Sequence, residues 1–246
     1  MANDRCGGCG AQLEPTFRFC AQCGRPASAA APTAARPAPA AAALRLVPVR
    51  HDGRAGPAQA LQASGVVCGR TEGQLVFGDD ATVSPRHARF TPRADGALLE
   101  DLNSLNGTFL RLRAPRPLSA GDELRLGRQL LRLEAVARPV DGAARPWGSA
   151  DLGLRFRVVQ VLDGGGTGEA FPLAPGENSI GREAGEITFP NDRYVSARHA
   201  RLDLLESGVV VVDLGSSNGT FVRITGPVMV TAGDQALVGL QLVRVE

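Results

Sequence analysis

Three short polar motifs occur twice along the chain, in the same order and at the same spacing. The first is a Gly-Arg pair, the second is Ser-x-Arg-His-Ala-Arg, and the third is Asp-Leu-x-Ser-x-Asn-Gly-Thr-Phe. The two sets occupy Gly69-Arg70, Ser84–Arg89 and Asp101–Phe109, and then Gly181-Arg182, Ser196–Arg201 and Asp213–Phe221.

The residue types in these motifs suit the binding of an oxyanion carried by an extended peptide. An arginine fork pairs with a carboxylate or a phosphate. A serine hydroxyl donates one further hydrogen bond, and an asparagine amide both donates to and accepts from a peptide backbone. The motifs offer no metal-ligand set, no glycine-rich nucleotide cradle and no positioned base. They therefore predict a site for a phosphorylated side chain.

The motifs belong to a longer internal duplication. When Leu44 is aligned with Phe156, residues 44–134 superimpose on residues 156–246 without a gap, and 36 of the 91 pairs are identical. Two copies of this length each suffice for a core of their own, which excludes a solenoid of small repeats. We therefore expect two domains, 44–134 and 156–246.

Each copy is predicted to be all-β. Short runs rich in aliphatic and β-branched residues, such as Arg157–Leu162 and Val209–Val212, are separated at short intervals by Gly, Pro, Asp and Asn. No segment of either copy keeps a helical period over the three turns that a helix assignment needs. Many short strands joined by turns indicate a β-sandwich, in which function usually lies on the loops at one end.

Both copies resemble the forkhead-associated (FHA) domain, whose signature is Gly-Arg, then Ser-x-x-His, then an Asn-Gly pair in a Ser-Ser-Asn-Gly-Thr-like loop. The resemblance covers the two blocks 44–134 and 156–246. It implies two sandwiches of about eleven strands each that bind phosphothreonine peptides through apical loops.

The resemblance also assigns roles to individual residues. In the second copy, Arg182 and Ser196 would contact the phosphate, Ser217 would add a hydroxyl, and Asn218 would hold the peptide backbone. In the first copy, Arg70, Ser84 and Asn106 would do the same. His87 and His199 would brace the loops by hydrogen bonds inside the fold.

The two copies depart from the family pattern in different ways. The first has Leu105 where the second has Ser217, and it therefore lacks one hydroxyl beside the expected phosphate. A charge-assisted hydrogen bond contributes roughly 1.5–3 kcal/mol, so its loss weakens binding about ten-fold or more. We therefore expect the second copy to be the stronger reader.

Four of the five cysteines lie near the N-terminus as two CxxC pairs, Cys6 with Cys9 and Cys20 with Cys23. Four thiolates match the tetrahedral preference of structural zinc and leave no open position for catalysis. Residues 1–25 therefore predict a zinc ribbon holding one ion, and the segment resembles the short ribbons at the ends of many bacterial proteins. A redox CxxC or a pair of disulfides remains the alternative.

Two connections complete the predicted layout. Residues 26–43 hold 11 alanines and 4 prolines, a composition that offers no core and predicts a disordered linker. Residues 135–155 join the two copies, and Trp147 there is expected to pack on a domain flank.

Composition narrows the function classes. A net charge of +2 over 246 residues argues against a nucleic-acid binder. The N-terminal segment lacks the apolar run of a secretory signal, and no stretch reaches the roughly 18 apolar residues of a membrane span. We therefore expect a cytoplasmic protein without membrane insertion, nucleic acid or a small-molecule substrate, and with threonine-phosphorylated proteins as partners.

Two rival interpretations call for a test. Ser196, His199 and Asp213 could form a hydrolase triad, although no GxSxG elbow or oxyanion hole accompanies them and we expect no enzyme activity. The other rival is a phosphate-independent scaffold that uses the zinc ribbon and the sandwich surfaces. Peptides with phosphothreonine, phosphoserine and plain threonine discriminate between that scaffold and a phosphothreonine adaptor in Ser/Thr kinase signalling.

Overall fold

The computed structural model describes residues 5–6, 8–12, 20, 22–23, 44–50, 53–137, 147–150 and 152–246. It divides into two compact units, Met1–Ala43 and Leu44–Glu246. The predicted linker 26–43 and the middle of the connection 135–155 lie outside the described residues. Trp147 lies within them and is fully exposed, so the expectation that it packs on a domain flank is wrong.

The larger unit is built from twenty short strands, ten from each copy, and one 3₁₀ turn at Asp163–Gly165 is its only helical element among the described residues. The first copy forms β1 Arg45–Val49, β2 Gln59–Ala60, β3 Val66–Gly69, β4 Leu75–Val76, β5 Ala88–Arg93, β6 Gly96–Asp101, β7 Thr108–Arg111, β8 Arg116–Leu118, β9 Glu123–Leu126 and β10 Gln129–Ala135. The second forms β11 Phe156–Val161, β12 Thr167–Pro172, β13 Gly176–Gly181, β14 Ile187–Thr188, β15 Ala200–Leu205, β16 Gly208–Asp213, β17 Thr220–Arg223, β18 Val228–Val230, β19 Gln235–Val238 and β20 Gln241–Val245.

The strands form three sheets whose burial alternates as expected for sandwich strands. A ten-stranded sheet has the order β12-β11-β10-β9-β17-β7-β19-β20-β1-β2, and two five-stranded sheets have the orders β14-β13-β15-β16-β8 and β18-β6-β5-β3-β4. In β19, for example, buried Ala236 and Val238 alternate with half-buried neighbours, because successive side chains of a strand point to opposite faces. The all-β sandwich fold predicted from the sequence is confirmed.

Each sandwich combines strands from both sequence copies. We call the first sandwich the one formed by β1–β7 with β18–β20, and the second sandwich the one formed by β8–β17. Strand β8 of the first copy pairs with β16 of the second, and β18 of the second pairs with β6 of the first. The terminal strands exchange likewise, since β1 pairs with β20 and β10 pairs with β11.

The hydrophobic cores follow this exchange. The first core joins Leu46 and Phe90 of the first copy to Val230 and Val243, which lie in the last strands of the second copy. The second core joins Leu124 and Leu131 of the first copy to residues of the second copy, such as Leu202. The structure thus differs from the expectation of separate domains 44–134 and 156–246: the copies are units of sequence, while the sandwiches are shared.

The chain crosses between sandwiches just after β7 and β17, which pair antiparallel with each other. Leu112 N–H donates to the Thr220 carbonyl at 2.8 Å and Ile224 N–H to the Thr108 carbonyl at 2.9 Å, so the ladder continues into both crossings. Each crossing soon meets a proline, Pro115 or Pro227, which favours extended backbone before it. The chain bends at residues 113–114 and 225–226, between the ladder and the proline, and the strands that follow join the opposite sandwich.

Candidate functional site

The predicted site residues gather at one loop cluster of each sandwich. We call Arg70, Ser84, Leu105 and Asn106 the first tip, and Arg182, Ser196, Ser217 and Asn218 the second tip. In both tips the arginine backbone N–H donates to the serine carbonyl at 2.9 Å, although the two residues are well separated in sequence. This bond fixes the end of β3 or β13 against the loop that carries the serine.

The serine hydroxyl and the asparagine amide are held in the same way in both tips. Ser84 Oγ accepts from Leu105 N–H at 3.0 Å, and Ser196 Oγ accepts from Ser217 N–H at 3.2 Å. Because each hydroxyl accepts here, its own proton can donate to a ligand. The side-chain amides of Asn106 and Asn218 each donate to a backbone carbonyl at 2.8 Å and keep a second N–H and an oxygen for a peptide.

A buried histidine braces each tip, as predicted. Ser84 N–H donates to His87 Nδ1 at 3.1 Å, so the proton of the neutral ring lies on Nε2, which donates to the Gly107 carbonyl at 3.0 Å. His199 makes the equivalent bonds to Ser196 and Gly219. Burial lowers the pKa of both imidazoles, against the opposing effect of the bond to the glycine carbonyl.

The loop before β17 is organised around one carboxylate. Asp213 accepts from the Ser216 N–H at 2.9 Å, from the Ser216 hydroxyl at 2.7 Å and from the Thr220 hydroxyl at 2.6 Å. Partial burial alone would raise the pKa of Asp213, but these donors outweigh it and the pKa lies below its ordinary value. Gly219 takes a φ of +83°, which the tight turn before β17 requires.

The arginine side chains of the two tips differ in their surroundings. The Arg182 guanidinium pairs with the neighbouring Glu183 carboxylate, with Nη2 to Oε1 at 2.5 Å. The first copy has Thr71 at the position of Glu183. The second tip therefore holds its arginine beside a resident anion, whereas the first has a neutral residue there.

Concave surfaces adjoin both tips. Asn106 and the 86 % exposed Leu105 line a cavity of about 540 Å³, together with residues of the β11–β12 connection. Asn218 lines a smaller cavity of about 160 Å³. The asparagine of each tip thus lies at an opening of the fold.

The geometry does not form the rival hydrolase triad. His199 Nδ1 accepts from the Ser196 backbone N–H, and Nε2 bonds to the Gly219 carbonyl. The carboxylate of Asp213 is occupied by loop donors of its own. Neither ring nitrogen is placed to take the proton of the Ser196 hydroxyl.

Sequence reasoning missed the residues that tie each tip to the exchanged strands. Asp192 Oδ2 accepts from Arg128 N–H at 2.7 Å and from the Gln129 amide at 2.8 Å; in the other copy, Arg128 lies in the β9–β10 turn and Gln129 begins β10. Asp80 holds the β19–β20 turn equivalently. The two aspartates do match each other in the internal alignment, and that identity was the available signal.

The four predicted metal ligands come together in the N-terminal unit. The sulfur atoms of Cys6, Cys9, Cys20 and Cys23 all lie within 4.8 Å of one another, with Cys6 to Cys23 at 3.5 Å and Cys9 to Cys20 at 3.6 Å. The edge of a zinc–thiolate tetrahedron is about 3.8 Å, so the donor set fits a metal ion. All four cysteines are free, so the disulfide alternative is not what the structure shows.

Further contacts support the thiolate cluster. Gly8 N–H donates to Cys6 Sγ at 3.4 Å, and this bond, followed by the Cys9 backbone N–H and the neighbouring thiols, lowers the pKa of the Cys6 thiol to about 6. Phe17 and Phe19 of this segment lie outside the described residues. The fifth cysteine, Cys68, is fully buried in the first core, where burial raises its pKa to about 12.

Among the described residues, no helix has the length and apolar character needed to cross a membrane.

The fold and the two matching tips define a class of protein, a tandem β-sandwich with one polar loop cluster on each sandwich. The FHA domain model matches residues 66–127 and 178–239, together half of the chain. The chain therefore belongs to the FHA family.

Two curated relatives illustrate the likeness. The oxoglutarate dehydrogenase inhibitor of Corynebacterium jeikeium is 37 % identical over 86 residues, 34 % of this chain and 59 % of that protein. The FHA domain-containing protein FhaB of Mycobacterium tuberculosis is 36 % identical over 86 residues, 34 % of this chain and 56 % of that protein. The chain thus spans less than two thirds of the length of these relatives.

A solved structure described as "Structural and functional analysis of phosphothreonine-dependent FHA domain interactions" is 30 % identical in sequence. The match covers 37 % of this chain and 95 % of that one, with a TM-score of 0.24.

Proposed function

We propose that residues 44–246 bind phosphothreonine peptides of partner proteins, one at each tip, and that the protein acts as an adaptor in Ser/Thr kinase signalling. The observation that carries the proposal is the matched arrangement of arginine, serine and asparagine at both tips. In each, a 2.9 Å backbone bond joins the arginine to the serine, and the serine hydroxyl is oriented by the amide of the residue before the asparagine.

The proposed chemistry follows from the groups at the tip. A phosphothreonine carries a charge of about −2 near neutral pH and three acceptor oxygens. The Arg182 guanidinium neutralises part of that charge, while the hydroxyls of Ser196 and Ser217 donate to the remaining oxygens. The Asn218 amide holds the peptide backbone beside the phosphorylated residue. Arg70, Ser84 and Asn106 act likewise in the first tip, without the second hydroxyl.

We propose further that the second tip is the stronger reader, because Ser217 supplies a donor that Leu105 cannot. The resident Glu183 opposes this advantage by occupying the Arg182 guanidinium. Glu183 is 63 % exposed, and an exposed ion pair contributes only about 0–1 kcal/mol. The gain from one charge-assisted bond, roughly 1.5–3 kcal/mol, exceeds that cost.

The test is direct binding of three peptides of one sequence, carrying phosphothreonine, phosphoserine or threonine, to the full chain by isothermal titration calorimetry. We expect tight binding of the first, weaker binding of the second and none of the third. Equal affinity for all three would contradict the proposal and favour a phosphate-independent scaffold.

For the N-terminal unit we propose one structural zinc ion, held by Cys6, Cys9, Cys20 and Cys23. Metal analysis of the purified chain should give one zinc per chain, and Cys9→Ser should abolish it. Cys68→Ala is the matched control and should keep the zinc. Phosphopeptide affinity should be the same in the Cys9→Ser variant, because the metal lies in the other unit; a zinc content unaffected by Cys9→Ser would contradict the site.

A further inference from the structure

A cavity of about 920 Å³ opens beside the second tip and is not part of the proposed phosphate site. Its wall includes Tyr194, whose carbonyl accepts the side-chain bond of Asn218 at 2.8 Å. Tyr194 also precedes Ser196 by two positions. A peptide that places its phosphothreonine at the second tip and its backbone along Asn218 therefore passes the mouth of this cavity.

Two arginines stack on the tyrosine at that mouth. The guanidinium carbon of Arg128 lies 5.0 Å from the Tyr194 ring centroid, and that of Arg193 lies 4.9 Å from it. Arg193 also donates to the Tyr194 hydroxyl at 2.8 Å. Stacking on an aromatic ring holds a planar guanidinium in place while its N–H edge stays open to an acceptor. We call these three residues the Arg-Tyr-Arg stack.

The positive charge of the stack is not neutralised by ion pairs within the part of the chain that the structure describes. Two carboxylates line the cavity, those of Asp192 and Glu169. Asp192 is buried and accepts from the backbone N–H groups of Arg128 and Tyr194 and from the Gln129 amide. Glu169 is exposed at the rim. The guanidinium groups of Arg128 and Arg193 therefore face the cavity without a carboxylate partner.

The first tip has no such stack. The internal alignment places Leu240, Ala81 and Thr82 at the positions of Arg128, Arg193 and Tyr194. The backbone is nonetheless the same, since Leu240 N–H donates to Asp80 at 3.0 Å as Arg128 N–H does to Asp192. The difference between the tips is therefore one of side chains on a shared loop geometry.

We propose that the Arg-Tyr-Arg stack binds an anionic side chain of the same peptide, so that the second tip selects phosphothreonine peptides with a neighbouring acidic or second phosphorylated residue. Because Tyr194 of the stack is hydrogen-bonded to Asn218 of the tip, the anion lies close to the phosphothreonine in the peptide sequence. Arg128 comes from the first sequence copy, and the strand exchange delivers it to the second tip. This inference rests on the proposed phosphothreonine binding.

The experiment uses the full chain with Arg70→Ala to silence the first tip, and measures Kd for three phosphothreonine peptides. The peptides carry flanking alanines, flanking aspartates, or one flanking phosphoserine. We expect the aspartate peptide to bind about ten-fold more tightly than the alanine peptide, as one charge-assisted contact allows. If the flanking phosphoserine raises the affinity and the flanking aspartates do not, the stack binds only doubly phosphorylated partners.

The decisive variant is Arg128→Leu with Arg193→Ala, which copies the residues that the first tip already carries on the same turns. It should abolish the preference for anionic flanks. The Kd of the alanine peptide should stay unchanged, and this unchanged affinity would also show that the second tip is folded. Arg45→Ala with Arg93→Ala removes the same two charges from exposed positions elsewhere and should keep the preference.

The complementary variant combines Leu240→Arg, Ala81→Arg and Thr82→Tyr in a chain whose second tip is silenced by Arg182→Ala. It should give the first tip a preference for anionic flanks. Equal binding of alanine and anionic peptides by the parent, or a preference that persists in R128L/R193A, overturns the inference while phosphothreonine binding stands. Failure to bind any phosphothreonine peptide overturns the proposed function itself.

Discussion

The two tips share one inner arrangement and differ at its rim. In both, the serine hydroxyl accepts from the amide of the residue before the asparagine, and the asparagine amide donates to the carbonyl two positions before the serine. Around the first tip lie Leu105 and Leu240, which are 86 % and 58 % exposed. Around the second lie Ser217, Glu183 and the Arg-Tyr-Arg stack. The duplication has thus kept the arginine, serine and asparagine of each tip and varied the side chains around them.

The largest effect should come from removing the shared arginine. Arg182→Ala should weaken phosphothreonine binding at the second tip about 100-fold or more, because two charge-assisted hydrogen bonds of roughly 1.5–3 kcal/mol each are lost. Arg70→Ala should do the same at the first tip. Calorimetry that resolves two sites measures both, and each variant serves as the other's control. A variant that silences both tips at once would show that the tips are not independent.

Exchanging the residue before the asparagine should change the ranking of the tips by a smaller factor. Leu105→Ser should strengthen the first tip, and Ser217→Leu should weaken the second, each about ten-fold, since one hydroxyl contact to phosphate is added or removed. The backbone N–H that orients the serine is kept in both variants. Affinities measured by the same calorimetry that do not change would place the Ser217 hydroxyl away from the phosphate.

Glu183→Thr, which copies Thr71, should strengthen the second tip about two- to five-fold. The carboxylate competes for the Arg182 guanidinium, and an exposed ion pair of this kind contributes about 0.2–1 kcal/mol. Glu206→Thr, at an exposed glutamate in the β15–β16 turn, controls for the change in net charge. Weaker peptide binding by Glu183→Thr would mean that the ion pair positions Arg182 for its ligand instead of competing for it.

The smallest effect should be a decrease in the free energy of unfolding at mildly acidic pH, to which the buried histidines of both tips contribute. His87 and His199 have pKa values below the ordinary 6.5 in the folded protein. The unfolded chain therefore takes up protons first, and stability falls as pH drops below about 6.5. Urea unfolding at pH 7.5 and pH 5.5 measures the change, and His87→Gln with His199→Gln should reduce it. Carboxylates with lowered pKa values, such as Asp213, contribute only at lower pH.

The sequence allowed the sandwich class, the gathering of the motif residues at each tip and the clustering of the four cysteines to be predicted, because each depends on residue types at fixed spacing. Gly219 shows why: its positive φ and its place after Asn218 are local properties that the residues determine. The Arg-Tyr-Arg stack could not be predicted in this way. Arg128 and Tyr194 are far apart in sequence and meet only because a strand of one copy completes the sandwich of the other.

The exchange itself is hidden from sequence comparison for a related reason. Because the copies align without a gap, β8–β10 carry apolar positions that match those of β18–β20 and would suit either core. The choice depends on the crossings after Arg111 and Arg223, where the hydrogen bonds of the β7–β17 ladder continue through Leu112 and Ile224 before the chain passes to the opposite sandwich. Which sandwich these strands join depends on contacts across the whole chain, so local sequence patterns do not predict it.

Because strands are exchanged between the two sandwiches, the chain cannot be cut into two fragments that each hold one complete sandwich. A cut in the segment 138–146 would leave two fragments that each lack three strands of one β-sandwich and hold the three that the other fragment needs. Such halves should recover their fold by complementation when mixed, and either half alone would expose open edges to a second copy of itself. Deleting one repeat to silence one reader would thus damage both, so only point substitutions can separate their roles.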